Sequence, residues 1–141
     1  LRQRIVETGV KHAPDIAPDQ VTRAVFCTGK IYYDLAAYRR ERNISDTVII
    51  RLEQIYPLAQ EQLTYLLAPY QKVRDFVWCQ EEPSNMGAWG HLRNRLGRLF
   101  ATSFRYAGRP SMACPAEGAK ALHAAAQKRL IAAAFGPRAQ S

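Results

Sequence analysis

From Arg23 onward the chain alternates short apolar runs with longer segments whose apolar residues recur every three or four positions. Arg23-Ala-Val-Phe-Cys-Thr28 is a compact apolar run stopped by Gly29, which suits a buried strand. Gly29-Lys30 then opens a segment with Ile31, Leu35 and Tyr38 at i, i+4 and i+7, the spacing of one helix face. Arg39, Arg40 and Arg42 gather at its end, where the helix dipole favours cations. After Asn43 and Ser45-Asp46, the β-branched run Thr47-Val-Ile-Ile-Arg-Leu52 predicts a second strand. Pro57 suits the first turn of a helix carrying Leu63, Leu66 and Leu67. Phe76-Val-Trp-Cys79 predicts a third strand that runs into Gln80-Glu81-Glu82-Pro83. Leu92, Leu96 and Leu99 form the stripe of the next helix, with His91, Arg95 and Arg98 on another face. Phe104-Arg-Tyr-Ala-Gly108 is a fourth strand, and residues 119–135 an Ala-rich terminal helix with Leu122, Leu130 and Ile131.

Apolar strands alternating with 10–15-residue helices imply a mainly parallel sheet covered on both faces. The expected fold is therefore a three-layer α/β/α domain over residues 23–141. Residues 1–22 are polar and carry Pro14 and Pro18, and read as a linker or N-terminal arm. The first residue is Leu1 rather than Met, so the chain is expected to be a piece of something longer.

Composition narrows the function classes. With 141 residues and 48% hydrophobic content, the chain can bury one core, and global disorder is excluded. No apolar run approaches the roughly 18 residues of a membrane span, so no membrane partner is expected. Cys27, Cys79 and Cys114 form no metal-ligand or redox spacing and read as reduced thiols. The net charge of +8 is concentrated late: residues 83–141 hold nine basic residues against Glu117 alone. Such a balance permits nucleic-acid binding, but no nucleic-acid motif is present, and nucleic acid is not expected as a partner.

Three segments fall at the carboxyl ends of predicted strands, where parallel α/β sheets meet their ligands. Thr28-Gly29-Lys30 is a strand-to-helix turn that could hold an anion, although it lacks the glycines of a phosphate loop. In Gln80-Glu81-Glu82-Pro83-Ser84-Asn85-Met86-Gly87-Ala88-Trp89, adjacent carboxylates on an extended strand point to opposite sides and make no acid/base pair. Ion pairing or interface contact is the better role for Glu81 and Glu82, with Asn85 near the start of the next helix and Trp89 a core or interface aromatic. The third segment runs from Gly108-Arg109-Pro110 to Cys114-Pro115-Ala116-Glu117-Gly118, a loop stiffened by proline that meets another surface or turns a corner. No catalytic constellation is present, so no catalytic or metal residue is assigned.

Four blocks, Thr28-Gly-Lys-Ile-Tyr-Tyr-Asp34, Arg51-Leu-Glu-Gln-Ile-Tyr-Pro57, Trp78-Cys-Gln-Glu-Glu-Pro-Ser-Asn-Met-Gly-Ala-Trp89 and Tyr106-Ala-Gly-Arg-Pro110, occur in this order. Together they closely resemble the C-terminal domain family of the E1 component of 2-oxoglutarate dehydrogenase, over roughly residues 23–135. The family usually ends its proline loop in Ser-Pro-Ala-Thr-Gly, where this chain has Cys114-Pro-Ala-Glu117-Gly. The equivalent domains of 2-oxoadipate dehydrogenase E1 and of transketolase are the related alternatives.

The resemblance implies a transketolase C-terminal-like fold and a parent oxidoreductase of the tricarboxylic acid cycle. That parent uses thiamine diphosphate and a divalent metal (Mg) to decarboxylate 2-oxoglutarate, then succinylates the lipoyl group of E2 dihydrolipoyl succinyltransferase. The cofactor sites would lie in upstream catalytic domains of an E1 homodimer, so this piece is expected to bind no cofactor and to be inactive alone. Its location would be cytoplasmic in a bacterium and the mitochondrial matrix in a eukaryote. Some relatives bind an acetyl-CoA or AMP effector, for which Thr28, Lys30, Arg39, Arg40, Arg93 and Arg95 are the expected anion ligands. Glu81, Glu82, Asn85, Trp89 and Arg109 are the expected interface residues.

Overall fold

A computed structural model describes residues 5–8, 17–111 and 120–136. In chain order the elements are β1 (Ile5–Thr8), a 3-10 turn (Pro18–Gln20), β2 (Arg23–Cys27), α1 (Ile31–Glu41), β3 (Thr47–Leu52) and α2 (Gln60–Leu67). They continue with β4 (Asp75–Pro83), α3 (Trp89–Leu99), β5 (Arg105–Arg109) and α4 (Lys120–Phe135). The sheet order is β1-β3-β2-β4-β5, with β1 antiparallel on β3 and the other four strands parallel. The expected three-layer α/β/α arrangement is what the chain adopts, with an antiparallel edge strand contributed by the N-terminal arm.

Strand alternation divides the core in two. Ala24, Phe26, Val48, Ile50, Leu52 and Trp78 face one side of the sheet and meet Leu63 and Leu67 of α2 and Leu92 and Leu96 of α3. Val25, Cys27, Ile49, Val77 and Cys79 face the other and meet Ile31 and Leu35 of α1 and Leu130, Ile131 and Ala134 of α4. The register aligns the layers: Phe26 lies opposite Ile50 and Trp78, and Val25 opposite Ile49 and Val77. Phe26 and Trp78 are fully buried; side chains of this size contribute about 1.5–3 kcal/mol each.

Two local expectations move. Pro57 does not open α2, which starts at Gln60 after the Tyr56-Pro57 cis peptide. β4 continues through the whole Gln80-Glu-Glu-Pro83 segment, so α3 starts at Trp89 and Asn85 stands before it. Both α1 and α3 end in the same way. Ile44 N–H donates to Arg39 O at 3.1 Å and Asn43 N–H to Arg40 O at 3.2 Å. Thr102 N–H donates to Gly97 O at 2.9 Å and Ala101 N–H to Arg98 O at 3.4 Å. Asn43 and Ala101 take the left-handed conformation that this helix stop requires, each with φ of 52°.

Candidate functional site

The chain leaves β2 toward β3 on one side and later returns to β4 on the other. The topological switch point, where open α/β sheets collect ligands, therefore lies between the carboxyl ends of β2 and β4. Thr28-Gly29-Lys30 follows β2 here, and Gly29 takes φ of 80°, a turn geometry that a side chain would strain. Thr28 spends its hydroxyl proton on Leu52 O at 2.8 Å, tying the turn to the end of β3. Lys30 Nζ lies 2.7 Å from Glu81 Oε1 at the end of β4. The same oxygen accepts from Gln127 Nε2 of α4 at 2.9 Å, and that amide also reaches Asp34 Oδ2 of α1 at 3.1 Å. The bond to Glu81 raises the Lys30 pKa.

On the opposite side of β4, Gln80 organises the turn that follows. Trp78 Nε1 donates to its Oε1 at 2.8 Å, as does the backbone N–H of Trp89 at 3.1 Å. Its Nε2 donates to the carbonyls of Glu82, Pro83 and Met86 at 3.0, 2.9 and 2.9 Å. One buried amide thus fixes the whole path from β4 to α3. Tyr106 adds a second fastening, its hydroxyl donating to Arg109 O at 2.6 Å with Glu82 O at 3.2 Å. Burial raises the Tyr106 pKa, so the phenol stays a donor.

The residues expected at one anion site occupy three places. Thr28 and Lys30 stand at the switch point. Arg39 and Arg40 lie at the far end of α1, because that helix runs antiparallel to the strands. Arg39 is buried and donates through Nε to Thr47 O at 2.9 Å, while Arg40 is exposed. Burial lowers the Arg39 pKa against the pull of Asp46. Arg93 and Arg95 belong to α3, across the sheet from α1, where their guanidiniums sit over Trp89 at 5.3 Å and Tyr56 at 5.7 Å.

The residues expected at an interface split by burial. Glu82 and Asn85 are exposed on the Gln80 turn, and Glu81 is partly covered by its partners. Trp89 and Arg109 are instead buried within the domain. Trp89 packs on Tyr106 at 5.4 Å, and Arg109 Nη2 lies 2.9 Å from His123 Nδ1. Cys114 and the loop around it fall outside the described residues.

Among the described residues, neither cysteine is an activated nucleophile. Cys27, the last residue of β2, and Cys79, in the middle of β4, are buried. Desolvation pushes the Cys79 thiol up to about 12 and the Cys27 thiol still further in the same direction. Neither supplies thiolate near neutral pH. Among the described residues no three His, Cys, Asp or Glu side chains converge as metal ligands, and no helix is long and apolar enough to cross a membrane.

Residues 3–135 match the family model described as 2-oxoglutarate dehydrogenase C-terminal. The chain belongs to that family. It is 43% identical over 127 residues to a 2-oxoglutarate dehydrogenase E1 component of Haemophilus influenzae, covering 89% of this chain and 14% of that protein. The E1 component of Azotobacter vinelandii is 41% identical over 123 residues, covering 84% of this chain and 13% of its own. That of Rickettsia prowazekii is 42% identical over 126 residues, covering 86% and 13%. The chain therefore spans about one seventh of the length of these curated relatives, which are oxidoreductase components.

Sequence reasoning on this C-terminal family domain missed Gln80 and Gln127. Gln80 carried a signal, since it shares the Trp78 face of β4 and a polar group there must be satisfied. Gln127 carried none, because its role depends on how α4 packs beside α1.

Proposed function

We propose that this chain is the C-terminal domain of a 2-oxoglutarate dehydrogenase E1 chain and that its work is assembly. In this reading it braces the catalytic domains of an E1 homodimer, and the chemistry is done elsewhere in E1. Thiamine diphosphate and Mg would supply decarboxylation of 2-oxoglutarate there, with the succinyl group passing to the lipoyl arm of E2. The described residues do not fit the metal of that cofactor, since no ligand cluster converges among them. In a bacterium the complex would be cytoplasmic.

The observation that carries this reading is the Gln80 turn. Five hydrogen bonds to one buried amide fix the turn from Glu82 to Asn85, with Pro83 buried and the side chains of Glu82 and Asn85 left exposed. A turn fixed in advance loses little conformational freedom on docking, which is what a brace requires. The test is made in the intact E1 chain with Glu82→Lys and Asn85→Lys together. Sedimentation should show weakened E1 dimers, and 2-oxoglutarate turnover should fall, with the melting of this domain unchanged. A fully dimeric and fully active variant would sink the assembly role.

A second reading adds regulation. An acetyl-CoA or AMP effector arriving at the switch point would meet Lys30 first, and its phosphate would compete with Glu81 for that ammonium. Arg39 is excluded from such a site by its burial at the other end of α1. The expected coupling is about 1–3 kcal/mol, and acetyl-CoA titration of Lys30→Ala in the intact chain tests it. Unchanged affinity removes Lys30 from any effector site.

A further inference from the structure

The end of β5 is fastened to the first turn of α4 by a contact between two basic side chains. Arg109, the last residue of β5, is buried, and its Nη2 lies 2.9 Å from His123 Nδ1. His123 belongs to the first turn of α4 and is exposed, so its ring can exchange protons with solvent. A guanidinium has donors only and keeps its charge throughout the ordinary pH range. The contact therefore uses the lone pair of Nδ1, which fixes the ring as neutral imidazole with its proton on Nε2. A proton added at Nδ1 removes that lone pair and sets a second positive charge against the first. The hydrogen bond thus exists in the neutral form alone. Imidazole ordinarily titrates near pH 6.5, within the range where small changes of acidity matter.

The surroundings give this contact a consequence. His123 borders an open cavity of about 680 Å³ between α1 and α4, so its ring has room to leave Arg109. Asp34 of α1 borders the same cavity and offers a carboxylate to an imidazolium released from Arg109. The other charged groups there are Glu41 and Arg42 of α1, the latter over the Tyr38 ring at 3.8 Å, and Lys128 of α4. Arg129 lies on the β5 side of α4, and Glu81 of β4 is held by Lys30 and Gln127. Gln127 follows His123 by one helical turn, on the same face, and ties α4 to Glu81 and Asp34. A fastening at His123 therefore steadies the part of α4 that reaches the switch point.

We propose that Arg109 and His123 form a pH-sensitive latch. With the imidazole neutral the latch is closed and holds the first turn of α4 to the end of β5. Protonation opens it and loosens α4 beside the switch point. The latch is independent of whether the domain braces an E1 dimer.

Amide hydrogen exchange of the intact chain carrying this domain, followed by mass spectrometry at pH 7.5 and pH 5.5, tests the latch. Rates are corrected for the intrinsic effect of pH on exchange. The peptide over residues 121–131 should then exchange about fivefold faster at pH 5.5, the factor that one net hydrogen bond represents. Peptides from β2 and β3 should show no such change. His123→Gln keeps an acceptor for Arg109 at either pH and should abolish the difference. Arg109→Gln supplies an amide that donates to the neutral ring or accepts from the charged one, and should abolish it too. Because Arg109 is buried and His123 exposed, His123→Gln decides the matter if the arginine variant folds poorly. His91→Gln, on α3 across the sheet, should keep the wild-type response. Equal corrected exchange at the two pH values in wild type, a pH effect that persists in His123→Gln, or its loss in His91→Gln overturns the proposal.

Discussion

At the amino ends of the parallel strands, Asp75 sits between Arg23 and Arg105 at 2.8 and 3.0 Å, with all three side chains less than one fifth exposed. The same guanidiniums cover the last carbonyls of α4: Arg23 donates to Phe135 O at 2.6 Å and Gly136 O at 2.9 Å, and Arg105 to Ala133 O at 2.8 Å. At the carboxyl ends, the corresponding pair is Lys30 with Glu81 at 2.7 Å, but there the lysine is 78% exposed. The distances are alike and the surroundings are not. One end uses charge to close a helix terminus onto two strands, and its strength follows from burial. The other keeps charge at the solvent boundary, where it is exchangeable. Ion-pair length by itself therefore does not separate a structural contact from an available one.

The largest expected effect breaks the closed end. Asp75→Ala leaves two partly buried arginines without their carboxylate and should cost about 3–5 kcal/mol, or about 10–20 °C in Tm. Burial works to raise the Asp75 pKa, but the hydrogen bonds and charges of Arg105 and Arg23 outweigh it and lower the value. A carboxyl with a depressed folded pKa contributes fully above its unfolded value, near 4, and the contribution fades as pH falls through the folded value. Melts of wild type between neutral pH and pH 3 should show that loss, and Asp75→Asn should lack it. A loss below about 1 kcal/mol in Asp75→Ala would remove the contrast between the two ends.

How much of this was readable beforehand depends on where the information sits. The β-branched runs of β2 and β3 and the leucine stripe of α3 are local patterns, and they gave strands, helices and layers. β1 was not readable, because its four residues lie in a polar arm and gain strand structure from pairing with β3. The Asp75 network was also hidden, since it joins residues from β2, β4, β5 and the end of α4. For the candidate site, the motif around Gln80 could be located but the role fell to the wrong neighbour. Glu81 and Glu82 drew attention as charges, whereas the buried neutral amide does the organising. Arginines brought together by sequence proximity to helix ends were separated by helix direction and by the sheet itself.

A smaller effect probes the frame at the open end. The pairing of β5 with β4 is irregular between Cys79 and Pro83, and Gly108 stands against that irregularity. A Cβ on Gly108 would lie 2.5 Å from Tyr106 Oη and 2.9 Å from Gln80 O. Tyr106 is fastened to Arg109 O and the Gln80 carbonyl is part of β4, so neither yields freely. Gly108→Ala should cost about 1–3 kcal/mol, the usual range for overpacking. Near-UV circular dichroism should change with it, as Tyr106 shifts against Trp89. An unaltered Tm and spectrum would show that the frame around the Gln80 turn is softer than its hydrogen bonds imply.

The smallest effect sharpens the contrast. Lys30→Ala removes an ion pair as short as those of Asp75, yet it should cost less than about 1 kcal/mol, because the lysine is hydrated in both states. Glu81 keeps Gln127 as a donor at 2.9 Å after the substitution, so no carboxylate is left stranded. Salt should erase what little difference remains, since screening at about 1 M acts within about 3 Å. Melts of Lys30→Ala and wild type at low and high salt check both statements. A salt-independent loss comparable to that of Asp75→Ala would mean that the Lys30–Glu81 pair is structural. The carboxyl end of the sheet would then be as firmly closed as the amino end, and a ligand at the switch point would have to break the fold to reach Lys30.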